Sequence, residues 1–441
     1  MKISEFFNND YVDQASYDNL RKIASLVDGQ KNASRKILYT VLEKNIKEKV
    51  KVSQLGSKVA EYAEYLHGSL DGVVVNLAQD FTGTNNIPLL QKKGNFGTRF
   101  AQEASAARYI YSYGSNAFFD LFKKQDSKIL KQQYFEGQAI EPMFYTPTLP
   151  LLLINGSEGV SSGFAQKILP RNPELIKKYM IQRLEGGKAT AASLKKIFTP
   201  YYNGFNGTIE QGETSSQWVI SGLVERKSST KVLITEVPVG YDLKGYLKVL
   251  DDLEDKKVIT SYRDLSEDDQ FKFEVSLPSK LLKSLDNDGL LSTLKLQKRI
   301  TENYTVIDDN NKIRVFDSAK EIFDAYLEVK LRYMGTRKAH LIEMLQSDIT
   351  LDMSRYTFVK AIVTDELVVN KRKRTDIEAN LDKLDGVVKK DDSYDYLLNM
   401  GIMSLTLERL IKLEKAIKES KAELKALSKK SIEELLIEDL N

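Results

Sequence analysis

Cysteine is absent from all 441 residues, and histidine occurs only twice, as His67 and His340. Disulfides, thiolate zinc sites, iron–sulfur clusters and a cysteine nucleophile are therefore excluded together. A His-rich metal site or a two-histidine relay is likewise unavailable within one chain. Long apolar runs are missing too: nothing approaches the roughly 20 residues that a membrane helix needs. The opening Met1-Lys2-Ile3-Ser4-Glu5 lacks the basic-then-apolar order of a secretory leader, so the cytoplasm or a similar reducing space is the expected compartment. No Gly-x-x-x-x-Gly-Lys-Ser/Thr phosphate loop occurs, since Gly186-Gly187-Lys188 lacks the upstream glycine, and there is no His-Glu-x-x-His or Gly-x-Gly-x-x-Gly.

What is present is enough apolar material for real cores, 42% hydrophobic against 29% charged residues. The length suits about three domains. The net charge of +3 says little, but its distribution says more: Arg21 to Lys58 holds ten Lys/Arg against Asp28, Glu43 and Glu48, a local net of +7. Such a surplus on helical sequence fits either a phosphate-contacting surface or a solvated basic face.

Residues 1–145 read as short helices broken by Gly and Asn loops. Ser34–Lys47, Ser53–Tyr65 and a run from Leu70 to Ala78 capped by Ser69 suit a helix-turn-helix arrangement. Residues 146–317 read as an α+β domain entered through Pro147-Thr148-Leu149-Pro150. Trp218–Val224 and Val232–Val237 suggest a hairpin, and Phe271, Phe273, Val275 and Leu277 alternate as in a half-buried strand. Residues 318–441 read as helical. Ser318-Ala319-Lys320-Glu321 is a capping box opening a helix to about Gln346, with Leu327, Leu331, Met334, Leu341 and Leu345 at heptad-like spacing and Lys338 in the one polar slot. A second stripe over 405–427, Leu410, Leu413, Ile417, Leu424 and Leu427 with Ser420 as exception, implies an antiparallel coiled-coil pair tipped by a small globule.

Chemistry must then come from Tyr, Ser/Thr, carboxylates or Arg/Lys. Arg108-Tyr109 follows the Gly-flanked loop Gly94-Asn95-Phe96-Gly97-Thr98-Arg99. A tyrosine beside a guanidinium is a sensible nucleophile for a phosphodiester, because the arginine can stabilise charge on the non-bridging oxygens. The dipeptide alone says little, since Arg332-Tyr333 and Arg355-Tyr356 repeat it among 22 tyrosines. The Asp-x-Asp spacing in which two carboxylates share an ion occurs at Asp286-Asn287-Asp288, in a turn-like context read as a loop. Lys371-Arg372-Lys373-Arg374 reads as a solvated loop or helix start rather than an import signal.

Context gives the dipeptide more weight. Val27-Asp28-Gly29-Gln30-Lys31, Ser34-Arg35-Lys36, Tyr65-Leu66-His67-Gly68, Asn76-Leu77-Ala78-Gln79, Gly83-Thr84-Asn85-Asn86-Ile87 and Ala106-Ala107-Arg108-Tyr109-Ile110-Tyr111 occur in that order. Ile154-Asn155-Gly156-Ser157-Glu158-Gly159-Val160, Gly204-Phe205-Asn206-Gly207-Thr208-Ile209-Glu210, Ile234-Thr235-Glu236-Val237-Pro238, Tyr394-Asp395-Tyr396-Leu397-Leu398 and Met403-Ser404-Leu405-Thr406 follow. Together these motifs, spread over nearly the whole chain, closely resemble the breakage–reunion part of type II DNA topoisomerases, as in the gyrase A and topoisomerase IV A subunits. Within that family the likeness is greatest to the medium subunit of T-even-type phage enzymes, on the chain's size and the short segment between Arg99 and Arg108.

The resemblance implies an α+β multidomain fold: a winged-helix breakage–reunion domain at 1–145, an α+β tower at 146–317, and a coiled coil with a helical exit gate at 318–441. It implies ATP-dependent double-strand passage, with Tyr109 forming a 5′-phosphotyrosyl link and Arg108 stabilising the transition state. Arg35, Lys31 and Arg21 match basic positions that hold the scissile strand, with Asp28 orienting them; Lys36 and Arg99 join them as DNA contacts. His67 matches the second histidine of a His-His-Gly pattern whose first is Leu66 here. Val160 falls where the family places a wedging isoleucine, and its smaller side chain implies a weaker bend. The implied partners are double-stranded DNA, a second copy of the chain, and a Toprim- and ATPase-bearing large subunit. That large subunit is expected to bind Mg²⁺ and ATP, with no metal site in this chain and, for a phage-encoded chain, in the host cytoplasm. A non-catalytic DNA clamp that keeps the fold is the rival; a tyrosine recombinase fits poorly with so few histidines.

Overall fold

The computed structural model describes residues 3–441. Its chain divides into one compact unit running to Lys330, joined by Asp439–Asn441, and a second over Leu331–Glu438.

In the first unit, three helices pack on a small antiparallel sheet. Asn32–Glu43 is the central helix and buries nine consecutive residues, Ser34 to Leu42. Val52–Tyr62 presents Leu55 and Val59 to the interior, and Asp71–Ala78 presents Val74 and Leu77. The first helix stops at Glu43 rather than Lys47, before Asn45 at φ 50°, and the second stops three residues short of Tyr65, before Glu64 at φ 48°. Tyr111–Gly114 is the middle strand of the sheet, with Val50–Lys51 on one side and Leu90–Lys93 on the other. Leu70, not Ser69, holds the cap position of the third helix and gives it no side-chain bond; the Ser69 hydroxyl, one residue earlier, accepts from the Asp71 N–H.

Beyond residue 150 the unit becomes mixed. A four-stranded antiparallel sheet runs Leu223–Arg226, Lys231–Glu236, Phe273–Ser276, Ser261–Asp264. Val232, Ile234, Phe273 and Val275 point from it onto Tyr246, Leu250 and Leu253 of the helix Leu243–Asp255, and all seven are buried. The alternation at 271–277 is thus a strand with one buried face. The hairpin differs from expectation, because Gln217–Ser221 belongs to another sheet, between Thr208–Gln211 and Gln297–Thr301. Gly222 makes the break: a Cβ there would collide with the Glu236 carbonyl oxygen, so only glycine lets the chain cross between sheets.

A buried ion pair ties this region together. Arg171 and Glu302 are both inaccessible and joined by two bonds of 2.7 Å. Glu302 also accepts from Trp218 Nε1, the Tyr304 hydroxyl and the Leu169 N–H. Burial pulls its carboxyl upward, but Arg171 and these donors outweigh it and hold it below the ordinary carboxylate value.

In the second unit the helix opened by the 318–321 capping box continues, spanning Ala319–Val363 in all. It runs past Gln346 because Ile349, Phe358 and Val359 keep facing a core and the one polar intruder, Ser354, donates to the Gly386 carbonyl. Leu407–Lys429 runs back alongside: Lys338 donates to the Ser428 and Lys430 carbonyls, while Phe358 shares a core with Leu413. The polar slot at Lys338 therefore satisfies carbonyls at the end of the partner helix, where a cation also meets the negative end of its dipole. The globule's core holds Phe358, Val359, Leu381, Tyr394 and Leu397. Arg374, at the end of the basic run, opens the helix Arg374–Leu381 and pairs with Glu378 and Asp395.

Candidate functional site

Tyr109 sits in a turn closed by its own N–H on the Ala106 carbonyl. That turn is anchored on both sides. Val52 and Ser53, opening the helix Val52–Tyr62, donate to the carbonyls of Ile110 and Ala107, and Ile110 is buried beneath Gly94. Gly94 at φ 102° and Gly97 at φ 86° shape the preceding loop, and at Gly97 a Cβ would meet the Gln102 carbonyl at 2.5 Å. Tyr109 is 67% exposed, and the Arg108 guanidinium lies 4.8 Å from its ring centroid. Of the other two Arg-Tyr pairs, Arg332 also lies over its neighbour's ring, 5.9 Å from the Tyr333 centroid, but that ring is half-buried on a long helix; Arg355 bonds Asp352 and faces the Tyr396 ring instead.

A second group gathers around the hairpin Ser157–Val160/Ala165–Ile168. Val160 is 74% exposed at its tip, which rules out a core role. Lys31 Nζ donates to the Glu158 carbonyl at 2.6 Å. Burial lowers the Lys31 ammonium from its ordinary value, against the pull of Glu158. His67 is exposed and shares a 2.7 Å hydrogen bond with the Tyr17 hydroxyl, and the Arg21 guanidinium lies 5.5 Å from the Tyr17 ring centroid. The fold thus sets His67 and Arg21 both against Tyr17 of the helix Val12–Lys22, and Lys31 against the hairpin that carries Val160.

Three expected contacts take a different form. Arg35 is buried: its Nε donates to Asp28 at 2.7 Å and its Nη2 to Asp28 and the Gln30 carbonyl. Asp28, wholly inaccessible, also accepts from the N–H groups of Gln30 and Tyr145. Asp28 does orient Arg35, but the pair acts from beneath the surface rather than on a reacting atom. Lys36 is buried against Glu141 at 2.8 Å and the Ala63 carbonyl. Arg99 is buried against Glu236 at 3.0 Å and the Val237 carbonyl, beside the Phe271 ring. Neither cation faces outward as a DNA contact requires; each instead neutralises a carboxylate that would be costly to bury alone.

As for a metal, no group of three or more His, Asp or Glu suited to an ion occurs among the described residues. Asp286 caps the helix Asn287–Thr293 by accepting from the Gly289 N–H, so the Asp-x-Asp there is a helix start. No helix among the described residues is long and apolar enough to cross a membrane.

The family model for the A subunit of DNA gyrase and topoisomerase IV matches residues 21–441. The mitochondrial DNA topoisomerase 2 of Dictyostelium discoideum is 31% identical over 99% of the chain and 34% of its own length. Human DNA topoisomerase 2-alpha is 32% identical over 99% of the chain and 31% of its own length. The crystal structure of the Plasmodium falciparum topoisomerase II DNA-binding, cleavage and re-ligation domain superposes with a TM-score of 0.87 at 30% identity, covering 99% of this chain and 63% of that one. The chain spans about a third of the length of these curated relatives.

Proposed function

The chain belongs to the family of DNA gyrase and topoisomerase IV A subunits, and we propose that it is the DNA-breaking subunit of an ATP-dependent type II DNA topoisomerase. In the breaking step the Tyr109 hydroxyl gives up its proton and its oxygen attacks a backbone phosphorus. The P–O3′ bond breaks, the 3′ oxygen leaves as a hydroxyl, and the 5′ phosphate remains on the phenol. Resealing reverses the step, for which a phenol is a fair leaving group. Arg108 carries charge stabilisation at the phosphate, and Val160 wedges the duplex. The observation that carries this reading is an exposed tyrosine, pinned in a turn by buried neighbours, with a guanidinium laid against its ring.

Two nicks, one per strand, need two copies of Tyr109 and hence a symmetric dimer. The exposed apolar run Ile402, Met403, Leu407 and Ile411 in the second unit supports an exit-gate contact between copies. The short segment between Arg99 and Arg108 supports a subunit of the T-even phage medium type, working in a host cytoplasm. Mg²⁺ and ATP are then held by a Toprim- and ATPase-bearing large subunit.

The test mixes the chain with large subunits encoded near its gene, adds Mg²⁺, and traps covalent protein–DNA adducts with denaturant; ATP is then added and relaxation of supercoiled plasmid followed. Adducts and relaxation are expected only with the partner. Binding without adducts in every mixture favours the clamp instead.

A further inference from the structure

The helix Val12–Lys22 does more than carry Arg21. Its Asp18 is half-buried and reaches the turn of the Val160 hairpin, where its Oδ2 accepts from Ser161 Oγ at 3.0 Å, the Ser162 N–H at 3.1 Å and Ser162 Oγ at 3.0 Å. Oδ1 faces Lys22 Nζ at 2.8 Å, one helical turn on. That turn is closed by the Ser161 N–H on the Phe164 carbonyl and otherwise projects outward, with Val160, Gly163 and Phe164 exposed. A two-stranded hairpin of four-residue strands has little rigidity of its own. The neighbouring Tyr17 holds His67 from the same helix.

We infer that Asp18 is a positioning residue: it clamps the tip of the hairpin so that Val160 meets the duplex at a fixed height, and through Tyr17 the same helix sets His67 in register with it. This rests on the reading of Val160 as the wedge. A side chain that must part stacked base pairs works against a cost of a few kcal/mol. On a tip free to fold back, that load would bend the hairpin instead of the DNA. A carboxylate suits the clamp because it offers acceptor sites to three donors and a lysine at once. The same contacts, the Lys22 hydrogen bond first and those from Ser161 and Ser162 after it, hold the Asp18 carboxyl down at about 2, so it is charged wherever the protein is handled. The two holds are consecutive in sequence, at 17 and 18, yet reach partners at positions 67 and 161–162.

The test measures bending by energy transfer on a linear duplex labelled at both ends, with the full chain and its Asp18→Ala, Asp18→Asn and Val160→Ala forms. Asp18→Ala is expected to lose most of the rise in transfer on binding and, with the large subunit present, to trap adduct about tenfold less well. Asp18→Asn, whose amide oxygen still accepts from Ser162, is expected to keep most of both. Duplex affinity and melting temperature should barely move. An Asp18→Ala chain that bends DNA like the parent overturns the inference, and if Val160→Ala then straightens the duplex, the wedge reading survives alone. If Val160→Ala bends normally while Asp18→Ala does not, the wedge reading fails and the inference as stated falls with it. Equal losses in Asp18→Ala and Asp18→Asn, tracking a fall in melting temperature, mark a merely structural contact and overturn the inference. A parent chain that leaves the duplex straight removes both.

Discussion

The guanidinium carbon of Arg108 lies 4.8 Å from the centroid of the Tyr109 ring. The cation covers the ring of its neighbour while Tyr109 stays 67% exposed. In the function proposed above the two side chains act as one unit. Tyr109→Phe removes a single oxygen, so it is expected to abolish denaturant-trapped adducts while duplex binding stays within about twofold. Tyr333→Phe and Tyr356→Phe are the controls and should cleave normally. Adducts that persist in Tyr109→Phe would place the nucleophile elsewhere.

Val160→Ala is expected to reduce bending and cleavage with almost no loss of stability, within about 0.5 kcal/mol, because the side chain is exposed. Energy transfer across bound DNA, set beside thermal melting, reads the two effects separately.

Much of this is legible in the sequence. The Phe271–Leu277 alternation is a strand with a buried face, and the 318–321 box does open a long helix. What cannot be read is which basic residues face outward. Lys36 and Arg99 stand in motifs that look like a phosphate surface, but Glu141 and Glu236, the carboxylates that draw them inward, lie 105 and 137 residues away. No local spacing reveals such pairs. The hairpin expected over 218–237 forms only between 223–226 and 231–236; its outer part is illegible for a related reason, since the partners of Trp218 come from positions 208–211 and 297–301. Asp18 gives no signal either, because its meaning lies entirely in Ser161 and Ser162.

Gly159→Ala tests how tightly the hairpin is seated. A Cβ at 159 would run into the Lys22 carbonyl oxygen at the end of the helix Val12–Lys22. A backbone atom cannot step aside cheaply, so a loss of about 1–3 kcal/mol is expected, measured by denaturant titration. Unchanged stability would show that the hairpin is looser than its contacts imply.

Glu302→Gln probes the buried network under the sheets. It leaves Arg171 inaccessible without its countercharge, which should cost roughly 3–5 kcal/mol at neutral pH. The pH dependence has a definite sign. A carboxyl held below its ordinary value contributes stability that is complete above the unfolded value of ~4.3 and is lost as pH falls through the lower folded value. Melting temperature against pH should therefore fall less steeply in acid for Glu302→Gln than for the parent. A parallel acid limb in both would mean that Glu302 does not titrate with unfolding.

The inward pairing of Arg35 and Lys36 has a consequence for counterions. Each phosphate that a protein neutralises releases condensed cations and adds about −0.9 to the slope of log K against log salt. Asp28 and Glu141 already neutralise these two side chains inside the fold, so they release none. The helix Asn32–Glu43 thus lends the basic stretch much of its formal charge without lending it to the duplex. Removing Arg21 should flatten the salt slope by about one unit. Removing Arg35 or Lys36 should leave that slope where it was and lower only the melting temperature.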